Sequence, residues 1–485
     1  MAAHVQIGQG TLEGVKDGDV FKFLGIPYAA PPVGELRWRA PQPPSAWGGT
    51  RHAKRFGPIC PQTTGASFDL RQTEESEDCL YLNIWTRRCD VRAEQPVMLW
   101  IHGGGNLGGA GSEDACDGTK FATKGVTLVT FNYRLGAFGF LLHPKFGANF
   151  GALDHIAALL WVRANIAEFG GDPANVTIFG QSAGALGVRT LLSCPQANGL
   201  FHRAILQSGG TERPAFVPAW SPARSHKAAE ALFAKLGSGD PIELRQMPTA
   251  AVKKASHELS GIPPPPGQIH TPANLTWMPV ADGIVVHDSL AGWPDNVPIM
   301  MGCVENEARY FIKPAGNYTE ETQDKMSHVL CGPQAGAVHS LFKQLDLPLY
   351  DRLDKIFTTT IWTEPAMESI RKFSTLGRRC YYYHFNKRSP GSMVRNEMAK
   401  HTADIRYVFG TLTDDGYYDN TDHAISDIVQ NTWISFARSG IPASPDGHEW
   451  PRYDTSSPKA AWIEDGVDIR PFPATELMLM VNKLR

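Results

Sequence analysis

The chain is 485 residues long, with 42% hydrophobic and 20% charged residues, an ordinary globular composition with enough chain to bury a large core without disulfides or metals. A net charge of −3, from 46 basic and 49 acidic residues, gives no chain-wide electrostatic reason to bind nucleic acid or anionic lipid. No apolar run approaches the roughly 18 residues of a membrane span, and eight cysteines without a CxxC spacing read neither as a disulfide scaffold nor as a zinc ribbon.

In chain order, the start MAAHVQIGQG lacks a basic stretch and a long apolar run, so no signal peptide is read there. Val97–Ile101 and Val126–Phe131 are short apolar runs of strand length. Leu153–Ile166 carries apolar residues at 153, 156, 157, 160 and 164, a helical stripe. Val176–Phe179 predicts a strand with a small-residue helix starting at Ala183, and Ala204–Leu206 a further buried strand. GIPPPPG, containing Pro263–Pro266, reads as a stiff extended loop. Val297–Met301 and Tyr381–Phe385 predict later strands, and Ala424–Phe436 a helix. Strands alternating with helices predict an α/β fold with a largely parallel sheet covered on both faces. Active sites of such sheets gather at the carboxyl ends of the strands.

Two motifs follow predicted strands. Gly180-Gln181-Ser182-Ala183-Gly184 fits G-x-S-x-G, a sharp strand-to-helix turn that pushes a serine hydroxyl outward. With 47 glycines in the chain the pattern alone is weak; the strand before it and the helix after it carry the reading. Trp100-Ile-His-Gly-Gly-Gly105 ends a strand in three glycines. Backbone N–H groups in such a turn can face an oxygen that gains charge, and Gly104, Gly105 and Ala183 are the expected oxyanion donors. A phosphate loop is the competing reading, but the Lys-Ser/Thr ending is missing.

With these motifs in place, the chain resembles the type-B carboxylesterase and cholinesterase-like family of α/β-hydrolases. The resemblance runs through FLGIPYAAPPVGELRW (Phe23 to Trp38), EDCLYLNIW (Glu77 to Trp85), NYRLGAFGFL (Asn132 to Leu141) and FGGDPANVTIFGQSAG (Phe169 to Gly184). It implies one α/β-hydrolase domain over residues 1–485, a large mostly parallel sheet flanked by helices, with long loop and helix insertions. The family's acid is a Glu in a Gly-x-x-x-x-Glu stretch. Gly302-Cys-Val-Glu-Asn-Glu307 places it at Glu307, with Glu305 as runner-up and Ala308 where a Gly is usual. The family's histidine stretch matches His401-Thr-Ala-Asp-Ile-Arg-Tyr-Val-Phe-Gly410, with Met398 in place of a usual Gly. Ser208 resembles a serine that supports the acid, and a strand-end hydroxyl satisfying local backbone is an equal reading of it. The resemblance also implies a Cys60–Cys79 disulfide. Its 18-residue loop would be worth roughly 3 kcal/mol by chain entropy. The other six cysteines read as buried thiols.

The implied chemistry is ester hydrolysis: Ser182 attacks, His401 takes its proton, Glu307 orients and stabilises the imidazolium, and water releases the acyl group. No metal or organic cofactor is called for. The partner is a small-molecule ester, with no nucleic acid and no membrane span. The loop between Cys60 and Cys79 has no Trp, which removes the cation–π platform that cholinesterases use. Pocket walls are expected around 106–117, 209–222, Tyr310 and 393–400. Arg213, Arg309 and Arg395 in or near them are candidate contacts for a carboxylated acyl group, with surface solvation as the alternative. The stretch Gly209 to Ala215 is loosely similar to esterases of fumonisin-type mycotoxins, which are tricarballylate esters. Two other functions stay open, a non-catalytic adhesion protein and an acyltransferase; the complete Ser182, Glu307, His401 set speaks against the first. The free thiols and missing leader favour the cytosol. The Cys60–Cys79 pair and the sequons at Asn274 and Asn317 favour export.

Overall fold

A computed structural model describes residues 3–63, 69–213, 220–262, 274–287, 296–314 and 316–485. The Pro263–Pro266 patch lies outside them. The chain divides into two compact units: residues 1–205, 220–262 and 274–295, and residues 206–219, 263–273 and 296–485.

The first unit opens with β1 (Ala3–Ile7), β2 (Gly10–Asp17) and β3 (Val20–Pro27), joined antiparallel, and a short β4 (Thr50–His52) lies parallel on β2. β1 alternates buried and exposed residues, as expected of an antiparallel strand with one wet face. β5 (Tyr81–Thr86) pairs antiparallel with β3 and with β7 (Thr127–Phe131). β6 (Gln95–Ile101) then lies parallel between β7 and β8 (Gly171–Gln181). In β6 and β7 nearly every residue is buried, because both faces are covered and no alternation is needed. The parallel part agrees with the alternating sequence pattern. The antiparallel opening has no intervening helices and extends the expected mostly parallel sheet into a mixed one.

The helix Phe150–Asn165 forms where expected but rotates. Leu160, on the expected stripe, is 42% exposed, while Ala152, His155, Ile156, Leu159 and Val162 are buried. The inward turn also buries Asp154, whose carboxylate accepts from Arg134 Nε at 2.8 Å and Nη2 at 2.7 Å. An apolar count could not place that face, because a paired charge sits on it.

β9 (Arg203–Gln207) begins in the first unit and ends in the second. In the second unit, β10 (Ile299–Val304), β11 (Cys380–Phe385) and β12 (Lys459–Ile463) run parallel, and β13 (Val467–Pro471) turns back antiparallel on β12. All residues of β10 and β11 are buried. The Asn420–Ser439 helix is capped by the Asp419 side chain, with Asp422 closing a capping box, and ends at Gly440 with φ 77°. Among the described residues no helix is long and apolar enough to cross a membrane.

Candidate active site

In the first unit, β8 ends at Gln181 and a helix runs from Ala183 to Leu192, with Ser182 between them at φ 58°, ψ −122°. A non-glycine residue in this region is strained, and the tight turn explains the neighbouring glycines. A Cβ on Gly184 would lie 2.0 Å from the Ile101 carbonyl oxygen, so the helix can approach the end of β6 only because no side chain is there. The oxyanion candidates lie on the turn after β6, where Gly104 and Gly105 have φ 103° and 64°. Among the described residues none accepts a hydrogen bond from the N–H of Gly104, Gly105 or Ala183. Orphaned donors of this kind are ready for an external oxyanion. The same turn passes close to the serine: a Cβ on Gly103 would sit 3.3 Å from Ser182 Cβ.

Buried polar groups hold this turn in shape. His102 stacks on Tyr133 at 4.4 Å, and Tyr133 donates its hydroxyl to the His102 carbonyl at 3.0 Å. Burial lowers the His102 pKa to about 4, so the ring is neutral, and its Nδ1–H donates to Gly103 O at 2.9 Å. The Gln62 side chain bonds both the N–H and the C=O of Gly109 at 2.8 and 3.1 Å. Glu113 accepts from Ala110 N–H at 3.2 Å, and burial raises its pKa to about 7. None of these supports was assigned a role from sequence, although His102 and Tyr133 lie within quoted motifs.

In the second unit, Glu307 and His401 are brought together. His401 Nδ1 lies 2.5 Å from Glu307 Oε2, with both side chains almost fully buried at 3% and 0% exposure. The other carboxylate oxygen, Oε1, accepts from Val304 N–H at 2.9 Å. The imidazole packs among Phe311, Trp362 and Tyr310, with centroids 5.4, 5.5 and 5.8 Å away. At the acid runner-up, two residues before Glu307, the geometry differs: Glu305 pairs with His384 Nε2 at 2.7 Å and is committed there. Met398 has φ 52°, so the loop keeps the left-handed turn that a Gly would take freely, at the cost of a side chain in that region. Ala308 is fully buried.

Other sequence-derived candidates fare differently. Ser208 is buried with φ 49°, its N–H bonds Gly302 O at 2.8 Å, and its Oγ has no partner among the described residues. Its hydroxyl is therefore not spent on local backbone. Arg309 is a correction. Its guanidinium is buried and bonds Asp354 Oδ2 at 2.7 Å, Asn396 O and Oδ1 at 3.1 and 2.6 Å, and Asp351, which withdraws it from substrate. Arg213 and Arg395 are exposed, Arg395 lying 5.1 Å from the Tyr417 ring centroid. The remainder of the 209–222 loop, at 214–219, and positions 64–68 of the 61–78 loop lie outside the described residues. Cys60 and Cys79 are joined, with Cα atoms 5.0 Å apart. Cys116, Cys194, Cys303, Cys331 and Cys380 are buried thiols, and Cys89 is half-buried.

Among the described residues one group of metal-ligand side chains converges, His143, His226 and Glu230, with ligand atoms within 4.8 Å. His143 Nδ1 accepts from Lys145 N–H at 3.2 Å, so its proton sits on Nε2 and is donated to Glu230 Oε1 at 2.8 Å. That tautomer offers a cation no lone pair at the convergent atom.

The description "Carboxylesterase family" matches residues 1–474. The chain belongs to the carboxylesterase family. It is 34% identical over 484 aligned positions to a fumonisin B1 esterase of Sphingopyxis macrogoltabida, covering 94% of this chain and 85% of that relative. It is 33% identical to a para-nitrobenzyl esterase of Bacillus subtilis (strain 168), covering 96% of each. Among solved structures it is similar to a PNB esterase, with TM-score 0.86 and 31% identity over 99% of this chain and 100% of that one. A carboxylesterase of Geobacillus stearothermophilus matches with TM-score 0.81 and 33% identity over 98% of this chain and 99% of that one. The fold is that of the α/β-hydrolases, and the carboxylesterase is a carboxylic-ester hydrolase.

Proposed function

We propose that this carboxylesterase works through Ser182 as nucleophile, His401 as general base and Glu307 as the acid that orients it. The observation that carries the reading is the 2.5 Å contact between His401 Nδ1 and Glu307 Oε2. A carboxylate at that nitrogen keeps the proton on Nδ1 and makes Nε2 the accepting atom. His401 takes the Ser182 proton as Oγ attacks the ester carbonyl. The oxyanion that forms is met by the N–H groups of Gly104, Gly105 and Ala183. His401 returns the proton to the leaving alcohol, and a water activated by the same nitrogen cleaves the acyl-enzyme. The scheme takes residues 1–485 as one catalytic domain, in keeping with a family match that runs unbroken over 1–474. Ser208, whose buried hydroxyl has no partner among the described residues, acts as a support behind the acid.

For the substrate, the reading is an ester with a carboxylated acyl group, of the tricarballylate type found in fumonisins. The fumonisin B1 esterase among the relatives supports it, and the exposed Arg213 and Arg395 are the cations that would meet the extra carboxylates.

Labelling with a fluorophosphonate followed by peptide mapping tests the mechanism: Ser182 is the expected site, and Ser182→Ala should lose nearly all turnover. Modification elsewhere, or full activity in that variant, overturns it. For the substrate, Arg213→Ala and Arg395→Ala should impair anionic acyl esters selectively. Equal effects on neutral and anionic esters count against the carboxylated acyl group.

A further inference from the structure

The helix Leu349–Thr358 turns one face toward the loop that carries Glu307. Tyr350, Asp354 and Thr358 are spaced i, i+4, i+8 and share that face. Tyr350 donates its hydroxyl to Ile312 O at 3.1 Å. Asp354 Oδ2 accepts from Asn306 Nδ2 and from Arg309 Nε, both at 2.7 Å. Asp354 Oδ1 accepts from the Thr358 hydroxyl at 3.0 Å, and that hydroxyl accepts from Ala308 N–H at 3.0 Å. The residues on both sides of Glu307 are thus tied to one buried carboxylate.

Two of Asp354's three direct partners, Asn306 and Arg309, also hold the loop that carries His401. Asn306 donates its backbone N–H to Ala399 O at 2.9 Å, two residues before the histidine. Arg309 Nη1 donates to Asn396 O and Oδ1 at 3.1 and 2.6 Å. Asn396 and Met398 both sit at positive φ, so this loop is held in a conformation it would not choose alone.

We propose that Asp354 is a positioning residue for ester hydrolysis: its carboxylate, through Asn306 and Arg309, sets the spacing between the Glu307 loop and the His401 loop. The proposal rests on the Ser182–His401–Glu307 reading. Its chemistry is plain. The carboxylate is nearly fully buried and matched by a guanidinium, and removing one partner leaves the other charge unmatched in a dry place. A misplacement of about 1 Å at a general base can slow turnover by roughly 10²-fold.

The test is Asp354→Asn in the full-length chain, assayed with p-nitrophenyl acetate and normalised to the fraction that reacts with fluorophosphonate. The expected result is a roughly 10- to 100-fold fall in kcat with KM held within about twofold. The far-downfield proton resonance of His401 Nδ1 should shift or broaden, a change that a purely structural role would not produce. If Asp354→Asn does not fold, Thr358→Val removes the hydroxyl shared by Asp354 and Ala308, and a smaller fall in kcat is expected. Glu321→Gln, on an exposed pair with Lys325, is the unaffected control. Wild-type kcat and an unmoved resonance, or a rise in KM alone, overturn the proposal. If Ser182→Ala keeps its activity, the triad reading fails instead; if Ser182→Ala is inactive while Asp354→Asn is unimpaired, only this proposal fails.

Discussion

Replacing Glu307 by Gln changes one oxygen into an NH2 group and leaves the volume alone, so its cost can be worked from the geometry. The native carboxylate accepts twice, from His401 Nδ1 at 2.5 Å and from Val304 N–H at 2.9 Å. Gln can accept only on its oxygen. If that oxygen serves His401, the NH2 group meets the Val304 N–H, and a buried backbone donor is stranded at a cost of about 1–3 kcal/mol. If it serves Val304, the NH2 group faces Nδ1, which must then accept. The imidazole proton moves to Nε2, and the ring can no longer take a proton there. The second arrangement is the cheaper one, and it is the inactive tautomer. The imidazolium also loses its charge partner. Together these predict a kcat lower by about 10³–10⁴, on the order of 4–5.5 kcal/mol in barrier height. The assay is steady-state hydrolysis of a p-nitrophenyl ester at neutral pH, with circular dichroism to show an intact fold. An intact Glu307→Gln variant within tenfold of wild type would refute the reasoning, and Glu307 would be a structural carboxylate.

Two further outcomes are expected. Burial raises the Glu113 pKa from an ordinary 4.5 to about 7, so the folded chain keeps this proton longer than the unfolded one and stability falls as pH rises between those values. Urea unfolding of Glu113→Gln against wild type should show up to about 3 kcal/mol of that pH-dependent loss removed; an unchanged slope contradicts the assignment. Cys60→Ser opens the loop closed by a bond between residues 19 positions apart and should cost roughly 3 kcal/mol in stability, read as a lower Tm with kcat per folded molecule unchanged. No change in Tm would show that the loop is held by other contacts.

The parts of the site written in contiguous runs were legible beforehand. The strand-to-helix turn at Ser182 and the triple glycine announce themselves because local sterics demand those residues. Glu307 and His401 had no such local signature and were reached only through motif register. What sequence could not show comes from residues that meet across long separations. Asp354 carries no motif, and its role depends on which way one helix face points, although the i, i+4, i+8 spacing of Tyr350, Asp354 and Thr358 was there to be seen. Arg309 looked like a substrate contact because a lone arginine near a pocket has no visible partner in one dimension; its partners are Asp351, Asp354 and Asn396. The Phe150–Asn165 helix was placed but rotated, since a buried Arg134–Asp154 pair overrides a count of apolar side chains. The antiparallel opening strands were missed because their half-wet pattern is short and has no helix to punctuate it.

The cysteines set how this enzyme dies. Burial pushes the Cys89, Cys194, Cys331 and Cys380 thiols up to about 12 and Cys303 well above its ordinary value, so in the folded chain these five supply almost no thiolate to attack the Cys60–Cys79 bond. Unfolding returns all six thiols to ordinary acidity beside a disulfide they can now reach, and exchange begins. Heat inactivation at mildly alkaline pH should therefore become one-way, because exchange in the opened chain competes with refolding. Its half-life should lengthen when the medium is acidified, because protonated thiols do not exchange.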